Sequence, residues 1–260
     1  MKKTILVLLY LLGALLILGG IALAFLPRLT HAQYEQQVEK GYEAFLDREP
    51  TAAAPQASEE TQPSALPETP LDQLYALMQE KNQALYENRQ PGLAVDNAYA
   101  LPELDPRDYG LEDGVVAYLT IPRMEIQLPV LLGANSENMR LGAGHLTHTS
   151  YPIGGENTNC VLAAHRGYAR TAMFRDIEKL QIGDPLYLQN FREILAYRVS
   201  EIRVIYPHEV EHLYIREGQD LLTLLTCHPF RHNYQRYLVF CTRDPELEKE
   251  ITQEDLLSDG

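Results

Sequence analysis

Residues 221–242 read LLTLLTCHPFRHNYQRYLVFCT, two apolar segments separated by a polar stretch that contains a proline. Short apolar runs bounded by turn-forming residues are typical of β-strands. The same texture recurs from Val115 onward, in the segments VVAYLTIP, IQLPVLL, CVLAAH, PLYL, ILAYRVSEIRVIYP, LLTLLTC and RYLVFCT. Their lengths and spacing predict a mainly β domain over roughly 111–243, a sandwich or small barrel, with short helices near 136–141 and 171–180.

The composition limits the classes of protein to consider. The chain has 260 residues, with 22 Lys and Arg against 36 Asp and Glu, and its formal net charge is −14. Nucleic-acid binding depends on clustered Lys and Arg that neutralise phosphates, and no segment carries such a cluster. The length allows one sizeable domain with accessory segments, so the chain is neither a general nucleic-acid binder nor a disordered protein.

Residues 5–26, ILVLLYLLGALLILGGIALAFL, carry no charge. At about 1.5 Å per helical residue, this run can cross a hydrocarbon layer of ~30 Å. The alternative is a signal peptide cut at Ala32, but its apolar core would have only about 7–15 residues. We therefore expect a single-pass membrane anchor. The lysines of residues 1–4 favour a cytoplasmic N-terminus and an extracellular remainder.

Two helical patterns follow the expected anchor within 27–110. Residues 31–47 are polar enough to predict a solvated stalk helix. Residues 50–70 contain five prolines among Ala, Ser, Glu and Thr, which predicts an extended or disordered spacer. Thr69 and Pro70 suit the N-cap and first position of a second helix. This helix, at 71–88, is predicted to pack on the β domain through one face, formed by Leu71, Leu74, Met78 and Leu85.

The side chains with chemical potential lie at strand ends. Cys227 closes LLTLLTC, His165 closes CVLAAH and Arg236 opens RYLVFCT, so one rim of a barrel can hold all three. A thiol is a nucleophile as the thiolate, which a neighbouring imidazolium or guanidinium favours. A single cysteine at the end of a buried strand is also a common packing residue, and spacing alone leaves both interpretations open.

Four ordered segments carry a resemblance to a known family. TLLTCHPFRHNYQR (223–236), with cysteine after Thr-Leu-x-Thr and arginine nine positions later, resembles the signature of the sortases. These are membrane-anchored cysteine transpeptidases of Gram-positive bacteria. YLTIPRMEIQLPVLLG, TSYPIGGENTNCVLAAHRG and MFRDIEKLQIGD are similar, in order, to the class C sortases that polymerise pilins. The likeness covers about 111–243 and implies an eight-stranded β-barrel.

The resemblance assigns roles to three residues. It implies that Cys227 attacks the Thr–Gly bond of an LPxTG-like sorting signal and forms a thioester. His165 then serves as general acid and base, and Arg236 holds the substrate carbonyl and its oxyanion. No metal or organic cofactor is implied. The acceptor amine, a pilin lysine or a peptidoglycan precursor, is not identified by the sequence. The alternative to an enzyme is a non-catalytic surface domain that binds a wall or pilus component.

The sequence departs from the class C pattern in two places. Class C lids carry Asp-Pro-aromatic, whereas LDPRDYG (104–110) has Asp105 and Pro106 followed by Arg107, with Tyr109 as a substitute aromatic. Residues 89–110 are therefore a lid or a linker. Many class C chains also have a second hydrophobic segment, whereas residues 244–260 form an acidic tail.

The other cysteines and two histidines need separate interpretations. Cys160 and Cys241 each lie five residues from a site residue, which turns their side chains to the opposite face and predicts burial. A disulfide between them is the alternative. His228 and His232 have a spacing seen in metal sites, but Pro229 disfavours the helix that would present both. We expect them to flank the substrate groove.

The spacer contains LPETP (66–70), which matches the Leu-Pro-x-Thr core of a sorting signal. Pro70 replaces the expected glycine and removes its N–H, so a cleavable self-substrate is not expected. A chance match in a Pro-rich tract and a weak pseudo-substrate that occupies the groove are the two interpretations.

Overall fold

The computed structural model describes residues 2–48, 69–93, 98–167, 171–251 and 256. Most of the predicted spacer, including residues 66–68 of LPETP, lies outside the described residues.

The described residues form a closed barrel of eight strands in the order β1-β2-β3-β4-β7-β8-β6-β5. The mainly β prediction is therefore confirmed as a barrel. The strands are β1 (Val115–Ile121), β2 (Ile126–Leu132), β3 (Ala143–His145), β4 (Thr158–Ala163), β5 (Pro185–Asn190), β6 (Ile194–Ile205), β7 (Asp220–His228) and β8 (Gln235–Arg243). The sequence prediction missed β3, whose three residues are too few to show an alternating pattern.

Alternating side chains of the strands fill the barrel. Leu222 and Leu224 of β7 belong to the interior cluster together with Cys160 and Cys241. Both cysteines are buried, as predicted, and both thiols are free. Cys160 and Cys241 pair with Leu222 from opposite sides. Two strand spacings therefore separate them, about 10 Å, which exceeds the ~7 Å that a disulfide spans.

The first helix, α1 (Lys2–Leu46), packs on the barrel along its C-terminal part. Val38, Tyr42 and Phe45 are buried against Tyr118 of β1 and other barrel residues. The prediction of a solvated stalk at 31–47 is therefore wrong, because residues spaced by three and four positions form an apolar stripe within the polar sequence. Among the described residues, no helix is long and apolar enough to cross a membrane. The span expected at 5–26 stays a prediction.

The second helix, α2 (Pro70–Glu87), begins as predicted. Thr69 is the N-cap and forms a reciprocal capping box with Asp72, and Pro70 occupies the first turn. Leu74 and Met78 are fully buried against the barrel. Because the Thr69 side chain is used in this cap, LPETP can enter a groove as pseudo-substrate only if the first turn of α2 unwinds.

The remaining helices are short. The segment 136–141 contains α3 (Asn138–Leu141), as predicted, whereas the segment 171–180 contains only a 3-10 turn at Ile177–Lys179. The acidic tail begins with α4 (Pro245–Glu250), which packs on β6. Glu248 accepts hydrogen bonds from the Ala196 N–H and from Arg243, and Leu256 is buried, so this tail is attached to the barrel at both places.

Candidate active site

Three neighbouring strands align the predicted reactive residues in one row. Cys227 of β7 is the direct antiparallel partner of Arg236 on β8. On the other side, β4 runs parallel to β7 with Ala163 opposite Leu225. Continuing this register by two residues places His165 beside Cys227. Neighbouring strands lie about 4.8 Å apart, so Cys227 and Arg236 are direct neighbours and the continued register brings His165 next to Cys227. The catalytic roles of the three residues stay a prediction.

The row lies on the outer face of the barrel. Ala163 and Leu225 lie two residues before His165 and Cys227, and Leu238 lies two residues after Arg236. All three belong to an apolar cluster outside the barrel. Side chains two residues apart share a face, so His165, Cys227 and Arg236 share this one. Cys160 and Cys241 point into the barrel instead, which confirms the predicted contrast between the cysteines.

The thiol and the imidazole are both half-buried. The His165 carbonyl accepts a hydrogen bond from the Phe174 N–H at 3.0 Å, and Phe174 is fully buried in the core. This bond fixes the chain as it leaves β4. Burial lowers the pKa of His165, which favours the neutral imidazole, the form that can accept a proton.

Arg236 is held by the loop that joins β7 to β8. Its Nη1 donates to the carbonyls of Asn233 at 2.7 Å and Gln235 at 3.0 Å. Both bonds use one nitrogen, so Nε and Nη2 are not engaged by any residue that the structure describes. The guanidinium is therefore fixed in position and retains donors for a substrate oxygen.

A second polar group lies directly behind the row and was not predicted. Arg166 and His228 each follow a reactive residue in the chain, and Nη1 of Arg166 lies 2.9 Å from Nδ1 of His228. Nη2 of Arg166 forms a salt bridge of 2.6 Å with Glu178. The His228 ring packs against Tyr237, with 5.5 Å between ring centroids. The sequence contained one indication of this group. Side chains alternate between the two faces of a strand, so Arg166 and His228 turn to the inner face when His165 and Cys227 turn to the outer one.

The expectation that His228 flanks the substrate groove stays a prediction. The side chain of His228 faces the barrel mouth, since successive residues of β7 alternate between faces. His232 is exposed in the β7–β8 loop, where its ring lies 5.8 Å from that of Tyr234. Its predicted place beside the groove stays a prediction.

The lid candidates form a compact turn. Pro106–Tyr109 is a 3-10 helix that contacts α2, and Leu104 and Leu111 on either side are buried in the core. Asp105 accepts hydrogen bonds from the Arg107 guanidinium at 2.7–3.1 Å, and this pairing lowers the pKa of Asp105. The departure from the aromatic pattern thus gives Asp105 a partner within the turn. A covering role for Asp105, Arg107 and Tyr109 stays a prediction.

One group of metal-type side chains lies away from the row, at the 3-10 helix after β6. Glu209, Glu211 and His212 bring their ligand atoms close together. Nδ1 of His212 is already 3.0 Å from Nη1 of Arg203, and carboxylates at a protein surface commonly cluster without a metal.

The row has the parts required for covalent acyl transfer. A half-exposed thiol is a nucleophile, a neighbouring imidazole can move protons, and a fixed guanidinium can stabilise negative charge on an oxygen. Arg236 cannot act as a base, since a guanidinium stays protonated in proteins.

Comparison with known proteins agrees with this geometry. Residues 119–244 match the sortase domain family. The chain is 30% identical over 125 residues to sortase A of Bacillus anthracis, a match that covers 48% of this chain and 58% of that relative. The chain therefore spans little more than half the length of this curated relative.

Among solved structures, sortase C1 of pilus island 1 of group B Streptococcus is similar with 32% identity and a TM-score of 0.62, covering 68% of this chain and 89% of that one. Sortase C-1 of Actinomyces oris gives 32% identity, a TM-score of 0.56 and coverage of 65% and 98%. The barrel, the row of three residues and these similarities together establish that the chain belongs to the sortase family.

Proposed function

We propose that this chain is a membrane-anchored cysteine transpeptidase that cuts an LPxTG-like sorting signal and joins it to an amine, a pilin lysine. The observation that carries the proposal is the alignment of His165, Cys227 and Arg236 in one row on the outer face. The similarity to class C sortases supports the choice of a pilin acceptor.

In the first half of the proposed reaction, the thiol proton of Cys227 passes to His165 and Sγ attacks the threonine carbonyl of the sorting signal. The carbonyl oxygen gains negative charge, which Arg236 stabilises, a contribution of about 3–4 kcal/mol per donor in other enzymes. The bond from carbon to the glycine nitrogen then breaks. His165 gives that nitrogen a proton, and the threonine acyl group remains on Cys227 as a thioester.

The second half reverses these roles. An incoming amine loses a proton to His165 and attacks the thioester carbonyl. The carbon–sulfur bond breaks, and Cys227 leaves as a thiolate that takes the proton back from His165. The product is an amide bond between two proteins, or between a protein and a cell-wall precursor.

The proposed anchor is the uncharged run 5–26. It is supported by the sequence and by the exposure of its leucines, for example Leu15 at 69% and Leu18 at 67%. In this arrangement residues 1–4 are cytoplasmic and the barrel is outside the cell. Deleting 5–26 should move the protein from the membrane fraction of the expressing cells to the supernatant. Recovery of the full-length chain in the supernatant would contradict the anchor.

The thioester can be tested directly by mass spectrometry. After incubation with an LPxTG-type peptide, we expect an acyl adduct on Cys227 in the wild type and none on Cys227→Ala. Cys241→Ala is the matched control, because this thiol is buried inside the barrel and should leave the adduct unchanged. Absence of an adduct at every peptide concentration would favour a non-catalytic domain that binds its partner in the groove.

The acceptor can be tested in the same assay. Pilin proteins with an accessible lysine should give covalent ladders when they are added to the acylated enzyme. If only a peptidoglycan-type amine releases the acyl group, the chain is a cell-wall anchoring sortase instead.

A further inference from the structure

Arg166 occupies the centre of the polar group behind the reactive row. Only 5% of its side chain is exposed, although it carries a permanent charge. Its Nη2 pairs with Glu178 at 2.6 Å and its Nη1 lies 2.9 Å from Nδ1 of His228. A buried guanidinium with several fixed partners is expensive to desolvate, so its position requires an explanation.

The contacts of Arg166 join the two strands that carry the thiol and the imidazole. Arg166 follows His165 in the chain, at the end of β4. Nη1 also lies 3.5 Å from the carbonyl of Cys227, at the end of β7. Strand β4 ends at Ala163, and two hydrogen bonds continue its connection to β7 beyond that point. The Ala164 N–H donates to the Leu225 carbonyl, and the Thr226 hydroxyl donates to the Ala164 carbonyl. Arg166 extends this connection to the level of the reactive residues.

The aromatic neighbours fix the plane of the guanidinium. Its central carbon lies 6.0 Å from the ring centre of Phe230 and 5.9 Å from that of Tyr237. Nε is buried without a hydrogen-bond partner among the described residues. The position of the guanidinium is therefore set by its contacts with Glu178 and with Cys227 and His228 of β7, at the cost of one unpaired nitrogen.

Resting on the function proposed above, we propose that Arg166 is a positioning residue that sets the spacing of His165 and Cys227 and, with Glu178, balances the charge beneath the thiol. Arg166 supplies positive charge on the inner side of Cys227, and Glu178 supplies the opposing negative charge. The two residues therefore influence the thiolate in opposite directions.

Other charged or titratable side chains near Cys227 in the chain or in the strand register stay in place in this comparison. They belong to the end of β4, the β7–β8 hairpin and the start of β8, and they are His165, His228, Arg231, His232, Arg236 and Tyr237. None of these side chains is substituted, although Glu178→Gln also removes a carboxylate that lies 3.3 Å from Nδ1 of His228. The variants of Arg166 and Glu178 therefore compare the two opposite charges of this group.

The test is the rate of alkylation of Cys227 by iodoacetamide at neutral pH, which depends on the thiolate fraction and requires no sorting signal. We expect Arg166→Gln to slow alkylation by roughly three- to tenfold and Glu178→Gln to accelerate it by a similar factor. Arg166→Lys should alkylate at nearly the wild-type rate but transfer acyl groups more slowly, since it keeps the charge and loses the fork that connects the strands. The pH profile of alkylation should move to higher pH in Arg166→Gln and to lower pH in Glu178→Gln.

The controls separate this role from simple stabilisation. Arg192→Gln removes a positive charge near α2, far from Cys227, and should leave the alkylation rate unchanged. Half of the Glu178 side chain is exposed, at 51%, so Glu178→Gln should fold even if Arg166→Gln does not. Equal rates in wild type and Glu178→Gln, or changes in the same direction for the two glutamine variants, would overturn the proposal. If alkylation behaves as expected and no thioester forms, only the proposed function fails.

Discussion

The strands β4, β7 and β8 carry a row of polar residues at each end, and the two rows face opposite sides of the sheet. At one end Thr158 pairs with Asp220 in the strand register, and Arg243 donates a hydrogen bond to Asp220. At the other end, seven residues along each strand, lie His165, Cys227 and Arg236. An odd separation of seven turns the first row into the barrel and the second row out of it.

The inward row is satisfied by the protein itself. Asp220 accepts hydrogen bonds from the Gly155 N–H at 2.8 Å, the Tyr197 hydroxyl at 3.1 Å and Arg243 at 3.1 Å. Burial nevertheless raises the pKa of Asp220, although these partners oppose the effect. The outward row keeps a half-exposed thiol and uncommitted guanidinium donors. The same strands thus give stability at one end and reactivity at the other, and the face of the sheet decides between them.

The two arginines of β8 give the sharpest test of this contrast. Arg236→Ala should lower the rate of peptide cleavage by about 10³-fold, or ~4 kcal/mol, because a donor to the oxyanion is lost. The free energy of unfolding should change by less than about 0.5 kcal/mol, since among the described residues the Arg236 side chain donates only to the carbonyls of Asn233 and Gln235, both close to it in the chain. Steady-state cleavage and denaturant unfolding measure the two quantities. Arg236→Lys should lie between, and an Arg236→Ala variant with more than a tenth of wild-type activity would contradict the assigned role.

Arg243→Met should show the converse behaviour. The side chains of Arg243 and Asp220 are only 18% and 14% exposed, so removal of the arginine leaves a buried carboxylate poorly compensated. We expect a loss of about 3 kcal/mol in the free energy of unfolding, with normal activity per folded molecule. Chemical denaturation provides the measurement. Adding Asp220→Asn should recover part of the loss, and a double variant no more stable than Arg243→Met would argue against the charge pair as the cause.

The sequence predicts the rows better than what surrounds them. Strand β7 could be predicted because LLTLLTC is a long apolar run that a proline ends. The burial of Cys160 and Cys241 follows from strand alternation, since each lies an odd number of residues from His165 or Arg236. The N-cap at Thr69 follows from local chemistry, since Thr-Pro-Leu-Asp satisfies the capping box within four residues. These features depend on neighbours in the chain, which a single sequence contains.

Features that depend on distant partners were missed. The stripe of Val38, Tyr42 and Phe45 is interrupted by charged residues, and its partner Tyr118 is far away in the chain. In the sequence alone, Arg166 is indistinguishable from a surface arginine that follows a histidine. Its burial becomes visible only when β4 and β7 pair. Its burial depends on Glu178 and the aromatic rings around it, so only the assembled barrel reveals its role.

A buried histidine extends the comparison to pH. His145 is fully buried, donates from Nε2 toward the carbonyls of Thr149 and Ser150, and stacks on Tyr151. Burial lowers the pKa of His145 from 6.5 to about 4. The unfolded chain therefore binds the proton first, so this stability is present above pH 6.5 and is lost as the pH falls toward 4. We expect wild type to lose about 2 kcal/mol over this window from this residue.

Unfolding by urea at pH 7 and pH 4.5 measures this loss. His145→Gln should be less stable at pH 7 and should show a smaller difference between the two pH values. His232→Gln, in the exposed loop, should retain the wild-type difference. An undiminished pH difference in His145→Gln would show that other groups cause the acid sensitivity.

The smallest expected effect concerns the cap of α2, which lies near the inward row and away from Cys227. Thr69→Ala removes the oxygen that accepts from the Asp72 N–H at 3.2 Å, and it should cost about 1 kcal/mol of unfolding free energy. Thr69→Ser keeps the hydroxyl and should behave like wild type. Because α2 packs on the barrel through Leu74 and Met78, the cleavage rate should be unaffected in both variants. A faster cleavage rate in Thr69→Ala, but not in Thr69→Ser, would instead mean that this cap restrains a segment acting at the groove, as the pseudo-substrate interpretation of LPETP requires.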